Sequence, residues 1–344
     1  MIHSLTCGIV VYDEVNEIKS LIPKLKLELK DYNVEWIFVL NHEQSQIRKW
    51  ISTWIKSNLE NSLCFENPSN NLGFARQLVL EKSSNEYIYL TDPDIDILPG
   101  NLEKLIQLAN AEITNDINLK YAGFGGTVTH KSKNVFLQKT FDFMSKVSKI
   151  VPFSFQIQNH SNLVAVDHLP ACHVLLNKQI AFKIGGFSSA LDKCGEDLDF
   201  THRAYNLDYR FIFLPAAQVV HWQNLSLIKW FFKMFTLGRI QIPVQKINFR
   251  QGLRFYRLIP LCLLFMLISQ CIFHPALLII LPVLILLTSF FDLGFLGFCL
   301  TLIAYSTGEL FELILPLFEY KSEAELAATN SILQSQFYES KIDN

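Results

Sequence analysis

The chain has 344 residues with 30 basic against 32 acidic side chains, a net charge of −2, so no overall positive field draws it to nucleic acid. Half of its residues are apolar, but unevenly so: ordinary alternation up to residue 258, then almost uninterrupted hydrophobic sequence. Seven cysteines without a C-x-x-C pair, three of them in the hydrophobic part, argue against a zinc site or a disulfide framework and for a reducing compartment around the soluble part.

The opening residues, Met1 to Leu5, have no basic n-region and no leader-length apolar core, and 5–12 read as a first strand. Residues 13–17 offer caps for a helix whose apolar face is Ile18, Leu21, Ile22 and Leu25. A second strand is expected over 34–40. The next helix carries Ile47, Trp50, Ile51, Trp54 and Ile55, with both tryptophans expected in the core. A strand over 62–66, a helix over 72–82 and a strand over 87–91 follow. Strand and helix alternating through short connections predict a parallel sheet covered on both faces, the frame of a nucleotide-binding α/β half-domain. No G-x-G-x-x-G follows the first strand and no G-x-x-x-x-G-K-[ST] occurs, which argues against dinucleotide enzymes and P-loop ATPases.

The fourth strand runs out into Asp92, Asp94 and Asp96, then Pro99-Gly100. In an open α/β sheet, ligands bind at this edge. Three alternate carboxylates repel one another unless a cation sits among them, and hard oxygen ligands suit Mg2+ or Mn2+, to which a diphosphate ester would fit. The competing reading makes Asp92 and Asp94 turn residues before the helix at Leu102.

A helix over 102–111 leads to a strand over 121–129 interrupted by Gly123, Gly125 and Gly126, which mark either a bulge or a close approach of ligand or backbone. Residues 131–162 show no clear period and read as a candidate substrate loop. A strand within 164–176 precedes Gly185-Gly186-Phe187. A helix then begins with Glu196, Asp197 and Asp199 in its first turn, where the macrodipole favours acids. Short strands over 210–214 and 218–221 end at His221.

These fragments together resemble the inverting GT-A glycosyltransferases of family 2, over roughly residues 4–225. Asn70-Asn71-Leu72-Gly73-Phe74-Ala75-Arg76 is similar to the family's N-x-G-x-A segment, and Asp92-Pro93-Asp94 to its D-x-D strand end. Residues 171–176 through Gly185-Gly186-Phe187 resemble the stretch before the acceptor site, and Glu196-Asp197-Leu198-Asp199 the E-D-x-D helix start. The resemblance implies a GT-A nucleotide-diphospho-sugar transferase domain, α/β with a mostly parallel sheet flanked by helices. It implies Asp94 and His221 on a divalent metal, Mg2+ or Mn2+. Asp92, Asn41, Asn71, Gly73 and Arg76 would bind a nucleotide-sugar donor. Asp197 would be the general base, with Glu196 contacting the acceptor or orienting the base. The chain departs from the pattern after the second strand, where Asn41-His42 stands in place of an Asp and a small polar turn. That departure supports the alternative of a catalytically silent GT-A scaffold binding a nucleotide or a protein partner. The processive Q-x-x-R-W box is absent, which leans toward single addition.

From Ser226 to Arg257 the chain holds aromatic and basic residues and no acid, and reads as a basic amphipathic connector lying in the headgroup layer; a nucleic-acid partner is not expected. Apolar stretches over 258–273, 276–291 and 293–317 predict two to three transmembrane helices within 258–318, then a polar tail over 319–344. The basic block before the first span predicts a multi-pass protein of the cell membrane with the catalytic domain, 1–225, cytoplasmic. Membrane lipids and a lipid-linked or membrane-proximal glycan acceptor are the expected partners. Glu309 and Glu312 are expected to face protein or the interface.

Overall fold

The computed structural model describes residues 1–115, 121–150, 156–160, 163–166, 168–191, 194–247, 259–273 and 293–314. The chain opens as alternating β1 (Ser4–Val11), α1 (Val15–Glu28), β2 (Asn33–Leu40), α2 (Ser45–Asn58), β3 (Ser62–Glu66), α3 (Leu72–Lys82) and β4 (Tyr87–Thr91). β1 lies between β2 and β4, and β3 lies outside β2, all parallel. β1 and β2 are buried along most of their length, as strands covered on both faces must be. One core lies between the sheet and α1, α2 and α4 (Asn101–Asn115); a second lies under α3, α6 (Lys178–Ile184) and α7 (Glu196–Asn206).

Past β4 the sheet is mixed, where alternation alone predicted a parallel one. β9 (His173–Asn177) is antiparallel to both its neighbours, β4 and β6 (Tyr121–Lys131). β10 (Arg210–Trp222) is parallel to β6 and antiparallel to β5 (Ile95–Ile97) and β8 (Leu163–Val166). β10 is one strand rather than two short ones, with a register shift between Leu214 and Gln218. A Cβ on Gly126 would stand 1.9 Å from the Ala217 carbonyl oxygen, so the glycine admits the backbone of that irregular segment.

Two sequence expectations change. Trp50 is 58% exposed, because α2 buries Arg48, Ile51 and Ile55. At about 100° per residue Trp50 points well away from Ile51. Trp54 does pack against the core, half-buried. Residues 135–150 are a helix, α5 (Val135–Ile150), and 156–160 a strand, β7 (Gln156–His160), rather than a loop. The side-chain oxygen of Asn134 caps α5 by accepting from the Phe136 amide at 3.0 Å. Its buried stripe of Leu137, Thr140 and Phe141 contains a polar residue, which is why no apolar period showed.

β9 carries a pH-sensitive core group. Buried His173 shares a 2.8 Å hydrogen bond with the equally buried Tyr89 hydroxyl, and burial lowers its pKa from 6.5 to about 4. A depressed histidine favours the neutral form in the fold, so its contribution is intact above pH 6.5 and is lost as pH falls toward 4. Thermal melts between pH 7 and 4.5 are expected to show an acid loss on the order of 3 kcal/mol from this group, at 1.36 kcal/mol per pH unit. His173→Gln should flatten that part of the profile; an unchanged profile would remove His173 as its cause.

The C-terminal part holds α8 (Leu227–Ile247), α9 (Ile259–Phe273) and α10 (Leu293–Ile314). α8 and α10 pack side by side in the same direction, with Trp230 donating to Thr301 at 3.1 Å and Arg239 paired with Glu312 at 2.9 Å. Small residues let them touch: a Cβ on Gly308 would meet the Phe235 carbonyl at 2.0 Å. α10 also rests on α5, where Phe143 meets Phe295 and Phe298. Glu309 and Glu312 are both fully buried in protein. Among the described residues α10 is the one helix long and apolar enough to cross a membrane. The described part of α9 has 15 residues, and the residues on either side of it lie outside the described ones. The middle candidate, 276–291, and the tail, 319–344, lie outside the described residues.

Candidate active site

A cavity of ≈ 480 Å3 opens at the carboxyl ends of the parallel strands, the ligand edge of an open α/β sheet. Its walls are Val10 and Tyr12 from the end of β1, Asn41 after β2, Asn70 and Leu72 at the start of α3, Asp92 to Asp94 after β4, His221 of β10 and Lys233 of α8.

The strand pairing explains how the acids reach it. β5 runs antiparallel against β10 with Ile95 opposite His221, and the Trp222 amide donates to the Asp94 carbonyl at 3.1 Å. The Asp94 carboxylate and His221 Nε2 are thereby held 2.9 Å apart. The three acids do not share one cation. Asp92 takes an Arg76 guanidinium nitrogen at 3.2 Å, Asp94 meets His221, and Asp96, inside β5, pairs with Lys24 of α1 away from the cavity. Separate partners relieve the repulsion that the sequence spacing suggested.

The segment around α3 forms the wall behind the cavity. Asn71 is the N-cap of α3, accepting from the Phe74 amide at 2.8 Å and donating to the Ser189 carbonyl at 2.9 Å. Gly73 lies against the next loop, where a Cβ would stand 2.0 Å from the Ser188 carbonyl oxygen. Arg76, 5% exposed, joins Asp92 to Glu196 at the start of α7. Asn41 does line the cavity, but its amide donates to Asn70 at 3.2 Å and its carbonyl accepts from Asn67 at 2.6 Å.

The three acids of α7 divide in the same manner. Glu196 is buried on Arg76, and Asp199 is buried on Arg203 at 2.8 Å. Arg203 in turn donates to the Ile184 and Gly186 carbonyls at 2.7 Å each, tying α7 to the end of α6. Asp197 has no basic partner among the described residues. It is half-buried and accepts only from the Leu198 amide at 2.7 Å and, weakly, the Ala171 amide at 3.4 Å. It is not part of the cavity wall itself.

Buried Cys172 links the two acid groups. Burial pushes its thiol well up, and Asp92, Asp197 and Asp94 act on it together with the opposing charge of Arg76. Those four charged side chains are therefore all within electrostatic reach of one sulfur, although residues 92 and 197 are far apart in sequence. Sequence reasoning passed over Tyr12, which follows the first strand at the ligand edge and carries that signal. It also assigned Lys233 to the headgroup layer, whereas the side chain lines the cavity.

Two donors, Asp94 and His221, face open space; among the described residues no group of three His, Cys, Asp or Glu forms a ready-made cage. Mg2+ and Mn2+ ordinarily keep several shell positions for water and phosphate, so a pair at an open wall fits them.

No curated protein matches the chain by sequence. A solved structure of GalNAc-T7 with UDP, GalNAc and Mn2+ is 11% identical with a TM-score of 0.48, covering 65% of this chain; the chain spans 44% of that one. The mannosyltransferase PcManGT from Pyrobaculum calidifontis, in complex with GDP-Man and Mn2+, is 13% identical with a TM-score of 0.56, covering 90% of this chain and 87% of that one. Residues 6–166 match the family profile described as Glycosyl transferase family 2. With strands β1 to β4 and the acid-tipped edge inside that match, residues 6–166 carry a family 2 glycosyltransferase domain, on a sheet of GT-A fold.

Proposed function

We propose that the protein is a membrane-anchored, metal-assisted, inverting glycosyltransferase that moves a sugar from a nucleotide-sugar donor to a lipid-linked or membrane-proximal acceptor. The observation that carries this reading is the Asp94 and His221 pair, 2.9 Å apart on the wall of an open cavity at the ligand edge, with Arg76 joining Asp92 there to Glu196, the neighbour of Asp197 at the start of α7. It offers separate carboxylates for the two ends of one displacement.

Asp94 and His221 would hold Mg2+ or Mn2+ against the diphosphate, and when bound the ion neutralises the charge of the leaving group. Asp92, fixed by Arg76, takes the donor's ribose or a water of the ion. Tyr12 presents a ring to the cavity for the nucleotide base. Asn71 and Gly73 keep the α3 loop closed on the loop at Ser188 and Ser189. Asp197, without a basic partner among the described residues, accepts the proton of the attacking hydroxyl on the face opposite the leaving group. Glu196, buried under Arg76, positions the start of α7 and does not meet the acceptor.

The anchoring rests on exposed apolar side chains along three helices: Ile228 and Phe232 of α8, Met266 and Phe273 of α9, and Leu313 and Ile314 of α10. Patches of that extent mark a lipid or protein contact. We assign 1–225 to the catalytic domain on the cytoplasmic side, 226–257 to the connector, 258–318 to a multi-pass membrane region and 319–344 to a polar tail.

The test is transfer by the full chain in lipid vesicles from a panel of nucleotide sugars to polyprenyl-phosphate-linked glycans. Transfer is expected to stop with EDTA, return with Mn2+ or Mg2+, and invert the anomeric centre by NMR. Nucleotide at 100 times its Kd should stabilise the chain by about 2.7 kcal/mol. Retention of configuration would overturn the inverting mechanism. Metal-dependent binding without turnover on any donor would favour the second reading, a silent scaffold, which the bonds of Asn41 to Asn70 and Asn67 support.

A further inference from the structure

We propose that Lys233 of α8 binds the donor's diphosphate, so that the helix carrying the apolar exposed face also closes the donor cavity. The proposal rests on the nucleotide-sugar reading above and adds a residue to it.

Lys233 lies on the inward stripe of α8. Leu237, Ile240 and Val244 follow it at spacings of four, three and four, which puts all four on one face. Ile240 and Val244 are buried against Leu191 and against Leu198 of α7, the helix that begins with Glu196 and Asp197. A lysine in that stripe is turned toward the protein, and Lys233 lines the same cavity as Asp94 and His221. The other basic residues of α8 whose side chains are described go elsewhere: Lys229 is exposed and Arg239 pairs with Glu312.

The Lys233 ammonium donates to Gln223 Oε1 at 2.7 Å, and Gln223 Nε2 lies 2.8 Å from His221 Nε2. Gln223 is 4% exposed, so this relay is fixed in place. One of the three ammonium donors is thus engaged within the fold, and the carboxylates acting on the group are Asp94 and Asp92. The cavity wall otherwise carries Glu14, Asp92 and Asp94, which would repel an anionic ligand. A compact cation on a flexible stem is suited to a diphosphate whose position shifts as it leaves.

The experiment is isothermal titration of the full chain in detergent with Mn2+ present, using UDP, GDP, UMP and GMP as probes. Lys233→Ala is expected to weaken the bound nucleoside diphosphate by about 10–100-fold and its monophosphate by less than about threefold. Lys233→Arg should restore most of the loss, and Lys233→Met, melting as the parent chain does, should repeat the alanine result. Unchanged diphosphate affinity in the folded methionine variant, or an equal loss for mono- and diphosphate, overturns the proposal. A parent chain that binds no nucleoside diphosphate fails in another way, by removing the donor reading itself.

Discussion

Asp197→Asn is expected to lower kcat by about 10²–10⁴-fold, the usual contribution of a positioned general base, while nucleotide affinity stays within about threefold. The expectation follows from how α7 distributes its acids. Glu196 and Asp199 are buried carboxylates that each hold an arginine, so replacing either disturbs the fold before it reports on chemistry. Among the described residues Asp197 accepts two backbone amides, one of them at a long 3.4 Å, and it is half-exposed. Its lone pairs remain available to an acceptor hydroxyl. Asparagine keeps the size of the side chain and removes the proton acceptor. The measurement is single-turnover transfer at saturating donor and metal, with the melting temperature as a control. A variant within about threefold of the parent rate would show that another group takes the proton.

The sequence was most informative where chain-local rules suffice. Residues 62–66, 72–82 and 87–91 appear as the elements their patterning predicted, because each short strand or helix is fixed by its own apolar spacing and flanking turns. The meeting of Asp94 with His221 was reached only through the family resemblance. Its physical cause is the β5 to β10 pairing, a contact between residues 127 apart that no local pattern encodes. The acids after β4 show the limit in the other direction: their spacing suggested one shared ion, yet arginine, histidine and lysine from three different elements each take one. Lys233 was misread for the same kind of reason. Composition placed it with the basic residues near the apolar tail, and only the helical stripe it shares with Ile240 and Val244 turns it inward.

α8 joins parts that the sequence treated separately. It packs on α10 through Gly238 and Gly308, on α7 through Ile240 and Val244, and enters the donor cavity through Lys233. Seating of the apolar helices and the geometry of the site are therefore coupled through one rigid element.

Arg76→Met is expected to destabilise the chain by about 3–5 kcal/mol, the cost of stranding a buried carboxylate. Glu196 is 1% exposed, and its described partner is Arg76, itself 5% exposed, while its second carboxylate oxygen has no hydrogen-bond partner. Removing the guanidinium leaves that charge without compensation in a low-dielectric setting, and Glu196 must either take up a proton or pull the start of α7 open. For a domain of this size the melting temperature should fall by roughly 6–20 °C. The double variant Arg76→Met, Glu196→Met removes both charges and fills similar volume, and is expected to recover most of the stability. Its transfer activity should stay low, because Asp92 loses the group that fixes it at 3.2 Å and α7 loses its tie to α3. Arg76→Lys should recover little, since one ammonium cannot span Asp92 and Glu196 as the planar fork does. Should the single methionine variant melt within about 1 kcal/mol of the parent, the Arg76 to Glu196 contact would not be the buried clamp that holds the base helix against the donor side.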